Sequence, residues 1–290
     1  MNWDWMHILF MFELYAILVI ASNLVTGYSG LLSFANAVFY GVGAYTTSIL
    51  MTSLGFNFPI SFVLSLITAG ALGGILAVFS RKFDGLYFVI STIAFQIIFY
   101  NVFYNWEKVT GGSLGISGIP NAAIIGFEMK STFEYVALGG IILLVVLLVF
   151  IVSKKSPFIR TLEAIRDNEL GAITMGKNVN QFKTVTIILS SAIMAISGSL
   201  FATYNHYIDA TSFTLDECIL IVSMLLIGGT GNLKGPLFGA LFFVLLPEVI
   251  REIPISDTKG ASIQMIVYGL ILVLIVRFKP NGFFGQYNLK

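Results

Sequence analysis

The chain has 290 residues, of which 57% are hydrophobic and only 11% are charged. Soluble domains carry about 25% charged residues, so this composition argues against a soluble enzyme. Sixteen Lys and Arg against fifteen Asp and Glu leave a net charge of +1, which gives no basis for nucleic-acid binding. The single cysteine, Cys218, excludes an internal disulfide framework and a cysteine-rich metal site. A polytopic membrane protein remains.

Stretches without charged residues set the number of membrane crossings, because a helical crossing needs about 20 apolar residues. The longest stretch, 14–80, holds about three crossings, separated by turn signals at 27–30 and 55–59. We therefore predict an all-α, polytopic helical membrane protein with about nine transmembrane or half-spanning helices and broken glycine-rich segments. The predicted helices are 7–26, 31–52, 59–80, 86–105, 133–153, 184–204, 217–230, 235–250 and 261–277. A strand barrel is rejected because the apolar stretches are continuous rather than alternating.

Two of the predicted crossings are shorter than the others. The segments 217–230 and 235–250 are short, which leaves open a re-entrant pair or two tilted helices. With nine crossings, 12 of the 16 Lys and Arg residues lie on one side of the membrane. Because positive residues accumulate in cytoplasmic loops, we expect a cytoplasmic C-terminus and an N-terminus outside. The first segment lacks the basic region and cleavage site of a signal peptide, so 7–26 is expected to be a membrane helix.

Few polar side chains fall inside the predicted crossings. Glu13 lies about two turns into the first helix, where we expect it to snorkel or to be capped by a neighbouring helix. Gln96 and Asn101 lie on different faces of the fourth helix, and both predict hydrogen bonds between helices. His7 and His206 lie near predicted helix ends, which does not favour metal binding. Because no metal or nucleophile motif occurs, the sequence predicts no catalytic residue and no metal ligand.

Glycine is concentrated in three clusters, at 27–43, 111–118 and 228–239. Small residues allow close packing of membrane helices, but glycine and proline also break helices along transport paths. Both interpretations stay open for the first and third clusters. The third cluster is not a phosphate-binding loop, since it lacks the Gly-Lys-Ser/Thr ending and no strand precedes it.

Residues 153–183 form the one sizeable hydrophilic segment of the sequence. Within it, Leu162, Ile165, Glu169 and Ile173 follow helical spacing, and a glycine follows as a stop signal. The pattern predicts a short amphipathic helix. Two locations stay open for this helix: it either lies on the membrane surface or docks into a groove of a partner.

Several glycine-rich and aromatic motifs also follow one another along the chain in the same order as in one known protein family. They lie at 27–37 with 39–45, 85–95, 105–106 with 110–115, 163–169 with 175–176, 228–231 with 235–236 and 239–240, and 278–285. Across about residues 20–285 the chain therefore resembles the permease subunits of branched-chain amino-acid ABC importers, the LivM type more than the LivH type.

The resemblance implies that 1–290 is a single permease domain, a transport subunit rather than an enzyme, in the bacterial cytoplasmic membrane. Two such permeases, usually different but homologous, form the translocation path in this family, so we expect a heterodimer. Two cytoplasmic ATPase subunits hold ATP and Mg, and an extracytoplasmic binding protein delivers the substrate. We expect Leu, Ile or Val as cargo and no cofactor on this chain. Urea, short amides or other amino acids are alternative cargoes, and an ion-coupled secondary transporter is an alternative class.

The resemblance also favours partner docking for 153–183, as the coupling loop that sits in a groove of the ATPase. The matching positions are Glu163, Ala164, Arg166, Asp167, Ala172 and Gly176. The expected translocation path includes Ser33, Asn36, Gly41, Gly43, Thr92, Gln96, Gly229 and Gly231. Asn36 stands where family members often have His, and Gln96 where Gly is common, so the substrate preference is open. The binding protein is expected near 106–130.

Overall fold

The computed structural model describes residues 4–83, 85–124, 126–251, 269–270 and 282–284, and this part of the chain is mainly helical. Its helices are α1 Trp5–Asn23, α2 Asn36–Thr52, α3 Phe58–Ser80, α4 Leu86–Asn105, α5 Glu107–Thr110, α6 Thr132–Lys154, α7 Pro157–Asp167, α8 Glu169–Thr174, α9 Val179–Asn205, α10 Leu215–Gly228 and α11 Lys234–Arg251. A π-helical turn, Leu24–Tyr28, continues α1, and 3₁₀ turns form at Gly112–Leu114 and Ala210–Phe213. The strands are β1 Ile116–Ser117, β2 Ala123–Ile124, β3 Phe127–Glu128 and β4 Tyr207–Ile208.

The all-α, polytopic membrane fold is confirmed. Five helices within the described residues are long and apolar enough to cross a membrane: α1 with its π turn, α3, α4, α6 and α9. The short predicted pair appears as α10, with 14 residues, and α11, with 18 residues. The predicted helix 261–277 lies outside the described residues except for 269–270, so the count of nine stays a prediction.

Two helix boundaries differ from the sequence prediction, each for a local reason. The second helix begins at Asn36 rather than at 31, because Gly30 adopts φ +74° and the chain runs without helix to residue 35. The helix predicted to begin at 184 begins at Val179, where the Asn178 side chain accepts a hydrogen bond from the backbone N–H of Gln181 at 3.2 Å. Such a cap satisfies one of the free donors at a helix start.

Helix α9 lies at the centre of the bundle, packed against α1, α2 and α3. Its contact with α2 is a backbone-to-backbone approach. A Cβ on Gly43 would lie 2.4 Å from the carbonyl oxygen of Ala195, and one on Gly198 would lie 2.0 Å from that of Tyr40. Small residues at a crossing allow this proximity in membranes, where packing replaces the hydrophobic effect as the driving force.

Burial separates an inner helix from outer ones. In the most apolar part of α1, 78% of the residues are buried. The corresponding share is 33% in α3 and α6 and 28% in α4. Helix α1 is apolar on all sides because it is surrounded by protein. The outer helices leave apolar side chains such as Ile67 and Val149 exposed, which in this class of protein face lipid.

Segments predicted on the same side of the membrane meet in the structure. At one end, β1 pairs antiparallel with β4, with Ile116 opposite Ile208, which joins the loop before α6 to the segment after α9. At that end the His206 ring Nδ1 also lies 2.9 Å from the carbonyl oxygen of Ile119. The π turn, α7 and the turn between α10 and α11 gather at the opposite end. The orientation of the two ends across the membrane stays a prediction.

Candidate functional site

The end of α1 is a widened helical turn, and residues that follow it donate hydrogen bonds back to it. In this π turn, Leu24–Tyr28, the backbone of Val25 accepts bonds from the Ser29 hydroxyl at 2.6 Å and from the Leu31 N–H at 3.2 Å. Gly30 follows with φ +74°, a conformation that side-chain-bearing residues avoid. π turns are rare and often mark functional positions.

Helix α7 packs on this π turn. Ser156 caps its start, with a hydroxyl that accepts from the Ile159 N–H at 3.4 Å, and the helix buries Ile159, Leu162 and Ile165. The Arg166 side chain is only 11% exposed. Its Nη1 donates to the carbonyl oxygen of Gly27 at 2.8 Å, and its Nε donates to Asp167 at 3.0 Å. The predicted coupling loop therefore touches the transmembrane core directly.

The amphipathic helix predicted within 153–183 is two helices rather than one. Asn168 breaks it with φ −155° and ψ 97°, and its side chain then caps α8 by accepting from the Gly171 N–H at 2.9 Å. The helical spacing therefore does not continue through Asn168, and Ile173 is 51% exposed. Lys183 of α9 binds the Glu169 carboxylate at 2.8 Å and fastens α8 to the bundle.

The six coupling residues from the sequence all lie on this unit of α7 and α8, which we call the coupling unit, 157–176. Ala172 is buried against Ile165 and Val179. Glu163, Ala164 and Arg166 are half-buried, Asp167 is exposed, and Gly176 ends the unit with φ +75°.

A second contact joins the π turn to the glycine-rich turn, 229–235. The Asn23 side chain donates to the carbonyl of Asn232 at 2.7 Å and accepts from the Gly231 N–H at 3.0 Å. Asn232 in turn accepts from the Gly235 N–H at 2.7 Å. A Cβ on Gly27 would lie 2.6 Å from the Gly231 nitrogen, so the two glycine clusters interlock here.

Asn23 was not identified from the sequence. The available signal was an asparagine at the end of an otherwise apolar helix, just before a glycine cluster. Buried amides are costly unless paired, so such an asparagine indicates a partner. Gly229 and Gly231, predicted for the path, lie in this turn with φ +104° and +81°. The backbone of Phe283 also donates to the carbonyl of Ile227 at 2.9 Å.

Four predicted path residues form a buried polar network around the break before α2. The Phe34 N–H donates to the Thr92 hydroxyl at 3.0 Å, and the Ala35 N–H donates to the Ser33 hydroxyl at 3.3 Å. Asn36 donates to the Ser22 hydroxyl at 3.2 Å. The bonds of Phe34 and Ala35 satisfy backbone N–H groups that the break frees, as irregular backbone inside a membrane protein requires.

Gln96 completes the network on the side of α10. Its Nε2 donates to the carbonyl of Phe213 at 2.8 Å, and its Oε1 accepts from the Cys218 thiol at 3.2 Å. The predicted interhelical role of Gln96 is confirmed. The same prediction was wrong for Asn101, which is exposed and donates to the carbonyl of Ile97 on its own helix at 2.8 Å.

The eight predicted path residues thus divide into three places. Ser33, Asn36, Thr92 and Gln96 share the polar network, each at most 5% exposed. Gly229 and Gly231 lie in the glycine-rich turn. Gly41 and Gly43 lie in packing contacts, where a Cβ on Gly41 would lie 2.9 Å from the rings of Phe103 and Phe213. For Gly41 and Gly43 the structure favours close packing over a path.

Within the described bundle, one acidic side chain is buried and a second is partly buried. Glu13 is 6% exposed and lies against Gly139 and Gly140 of α6, where its Oε2 has no hydrogen-bond partner among the described residues. The prediction of a neighbouring helix over Glu13 is confirmed, and snorkelling is not seen. Glu217, in the first turn of α10, lies against Tyr15 of α1, and its Oε1 is buried without a hydrogen-bond partner among the described residues.

Membrane-crossing helices broken at glycines, with polar helices docked at one end, define a multi-pass membrane transport subunit. The sequence profile of one family, the branched-chain amino acid transport system permease component, matches residues 5–276. The chain belongs to this family. It is therefore a permease subunit of an ABC importer rather than an enzyme.

Individual relatives agree with the family. The high-affinity branched-chain amino acid transport system permease protein LivM of Escherichia coli (strain K12) is 27% identical, over 93% of this chain and 67% of that protein. A probable LivM permease of Methanocaldococcus jannaschii is 28% identical, over 95% of this chain and 91% of that protein. The probable LivH permease of the same organism is 22% identical, over 84% of this chain and 78% of that protein. No solved structure matches the chain.

Proposed function

We propose that the chain forms half of the path of an ATP-driven importer for Leu, Ile and Val. A second, homologous permease forms the other half. Two cytoplasmic ATPases hold ATP and Mg and supply the energy, and an extracytoplasmic binding protein delivers the amino acid. The resemblance to LivM permeases supports this cargo and this assembly. Residues 1–290 act as one permease domain without a cofactor of their own.

The observation that carries the proposed mechanism is the hydrogen bond from Arg166 to the Gly27 carbonyl at 2.8 Å. The coupling unit rests on the end of α1, and α1 is fastened through Asn23 to the glycine-rich turn. A shift of the coupling unit is therefore passed to two broken segments at once. ATP drives this shift only if the ATPases bind it more tightly in one state of the permeases than in the other.

The outer face of α8 supports docking of an ATPase. Leu170, Ile173 and Met175 are 76%, 51% and 69% exposed, and they lie outside the membrane-crossing helices. Exposed apolar side chains outside the bilayer mark interaction sites. We assign this end to the cytoplasm, because the basic loops meet there, and the paired strands β1 and β4 to the outside, where the binding protein docks on 106–130.

The test is transport by the assembled importer in liposomes. The chain, a homologous second permease and the two ATPases are reconstituted with a binding protein, and uptake of radiolabelled leucine is measured with and without internal ATP. Isoleucine, valine, urea and acetamide serve as competitors. Uptake that requires ATP and is blocked by isoleucine and valine supports the proposal. If only urea or acetamide blocks uptake, the cargo is urea or a short amide rather than Leu, Ile or Val.

One observation favours a second candidate. Glu13 is a buried carboxylate without a charged partner in the described residues, and intramembrane carboxylates carry ions in secondary transporters. Under this alternative, uptake continues without ATP and collapses when a protonophore removes the proton gradient. Under the main proposal, Glu13→Gln leaves ATP-driven uptake in place, since α6 covers a neutral side chain equally well.

A further inference from the structure

An apolar groove of about 270 Å³ lies on the outer surface of the bundle, at the end that carries the coupling unit. It runs between α6 and α9 and is closed at one end by the first turn of α7. Its floor consists of the buried side chains Leu24, Val146, Phe150, Ile159 and Ile196. Its rim includes the exposed side chains Val145, Val149 and Leu189.

The position of the groove determines its environment. Helices α6 and α9 both cross the membrane, so the exposed rim faces the hydrocarbon of the bilayer. The groove is too apolar to hold water, which needs two to four polar partners. Lipid tails are the apolar solvent at this depth.

Three cations directly follow groove-lining residues in the chain. Ser153 lines the groove and is followed by Lys154 and Lys155, while Phe158 and Ile159 line it and are followed by Arg160. These three cations are exposed, and no Asp or Glu occurs in 153–160. An apolar slot with cations at its membrane-surface end matches an anionic phospholipid, with its tail in the slot and its phosphate at the cations.

We propose that this groove binds one acyl chain of an anionic phospholipid, whose phosphate contacts Lys154, Lys155 or Arg160. The bound lipid packs against Phe158 and Ile159 and so holds the first turn of α7 on α6 and α9. Because α7 also carries Arg166, the lipid stabilises the position of the coupling unit. The inference needs only that the chain lies in a membrane, and it does not depend on the cargo.

Photochemical labelling of the full importer in lipid nanodiscs tests the site. The probes are phosphatidylglycerol and phosphatidylcholine, each with a diazirine near the end of one acyl chain, and the labelled peptides are mapped by mass spectrometry. We expect phosphatidylglycerol to label 145–159 and 189–196 at least about tenfold more than phosphatidylcholine, given three nearby cations. Equal labelling by the two lipids would overturn the proposal.

Two variants separate the tail from the headgroup. Val149→Trp fills the groove and should remove labelling by both lipids. The triple variant Lys154→Ala, Lys155→Ala, Arg160→Ala should reduce phosphatidylglycerol labelling to the phosphatidylcholine level. Matched controls are Ile67→Trp on the exposed face of α3 and Lys82→Ala in another basic loop, and both should label like the unmodified chain.

Several outcomes contradict the inference. Labelling that survives Val149→Trp places the lipid elsewhere, and labelling spread evenly over the exposed faces of α3 and α6 indicates bulk lipid only. Protection of the groove in the assembled importer, with crosslinks to a partner subunit, assigns the groove to a protein interface. If Val149→Trp fails to fold, as judged by gel filtration, the triple charge variant still decides the headgroup claim.

Discussion

Arg166 of α7 donates a hydrogen bond to the carbonyl oxygen of Gly27, in the π turn that ends α1, at 2.8 Å. The Arg166 side chain is mostly buried, and a Cβ on Gly30 would lie 3.0 Å from the Cγ of Arg166. Gly27 lies near the end of the helical ladder, where carbonyls accept outside donors. This pair joins the coupling unit to the transmembrane core.

We predict that Arg166→Ala uncouples the importer without preventing its assembly. The variant loses a hydrogen bond from a charged donor, worth about 1.5–3 kcal/mol, which is about tenfold or more in an equilibrium. The ratio of ATP hydrolysed to leucine imported should rise by about tenfold. Arg166→Lys keeps the charge and should recover part of the coupling. Lys82→Ala, an exposed cation in another basic loop, is the control and should keep the ratio of the unmodified chain.

Asn23→Ala should destabilise the fold at the glycine-rich turn. The change leaves the Gly231 N–H and the Asn232 carbonyl unpaired in a buried place, at about 1–3 kcal/mol for each group. Thermal unfolding in detergent, followed by fluorescence, should show a clearly lower midpoint. Asn101→Ala is the matched control, because Asn101 is exposed and bonds only its own helix. Equal midpoints for the two variants would contradict the assigned role of Asn23.

Gly43→Ala should impair folding, whereas Gly74→Ala should not. A Cβ at Gly43 meets the backbone of Ala195 at 2.4 Å, and overpacking of this kind costs about 3 kcal/mol or more where backbone cannot move. At Gly74 the nearest atom would be Cδ1 of Ile188 at 3.7 Å, an ordinary contact. The yield of monodisperse protein after membrane extraction measures the difference. Normal yield of the Gly43 variant would show that α2 and α9 are less closely packed.

The double variant Leu170→Asp, Met175→Asp should reduce capture of the ATPases by the permease. Two carboxylates on the exposed face of α8 would be buried unpaired at the interface, which is strongly unfavourable. Capture on an affinity column, with ATPase quantified per permease, measures the effect. Leu114→Asp, an exposed leucine (82%) at the opposite end, is the control. Retained capture by the double variant would place the ATPase contact elsewhere.

Apolar length predicted three of the described membrane-crossing helices closely. Helices α3, α4 and α6 match the predicted segments to within about two residues, because they carry no charged residue except in their terminal turns. The boundary errors occur where backbone geometry intervenes. Gly30 ends the π turn and delays α2 until Asn36, and Asn168 divides the amphipathic helix, since its side chain caps α8 in place of the backbone ladder.

Only part of the candidate site could be predicted from the sequence. The coupling residues were found because a hydrophilic segment is conspicuous between apolar helices and its motif resembles the family. The bonds of Asn23 to Asn232 and of Gln96 to Phe213 join residues far apart in the chain, and no local pattern specifies such partners. For the same reason the glycine clusters could not be divided into packing and turn positions until α9 was placed beside α2.

The number of ATP molecules hydrolysed per leucine imported, by the reconstituted importer with Lys82→Ala or Arg166→Ala, tests the central claim most directly. The claim predicts ATP-dependent uptake, with a low ratio for Lys82→Ala and a ratio about tenfold higher for Arg166→Ala. Equal ratios in the two variants would contradict the Arg166–Gly27 coupling. Uptake without ATP in both would contradict the assignment of an ATP-driven importer.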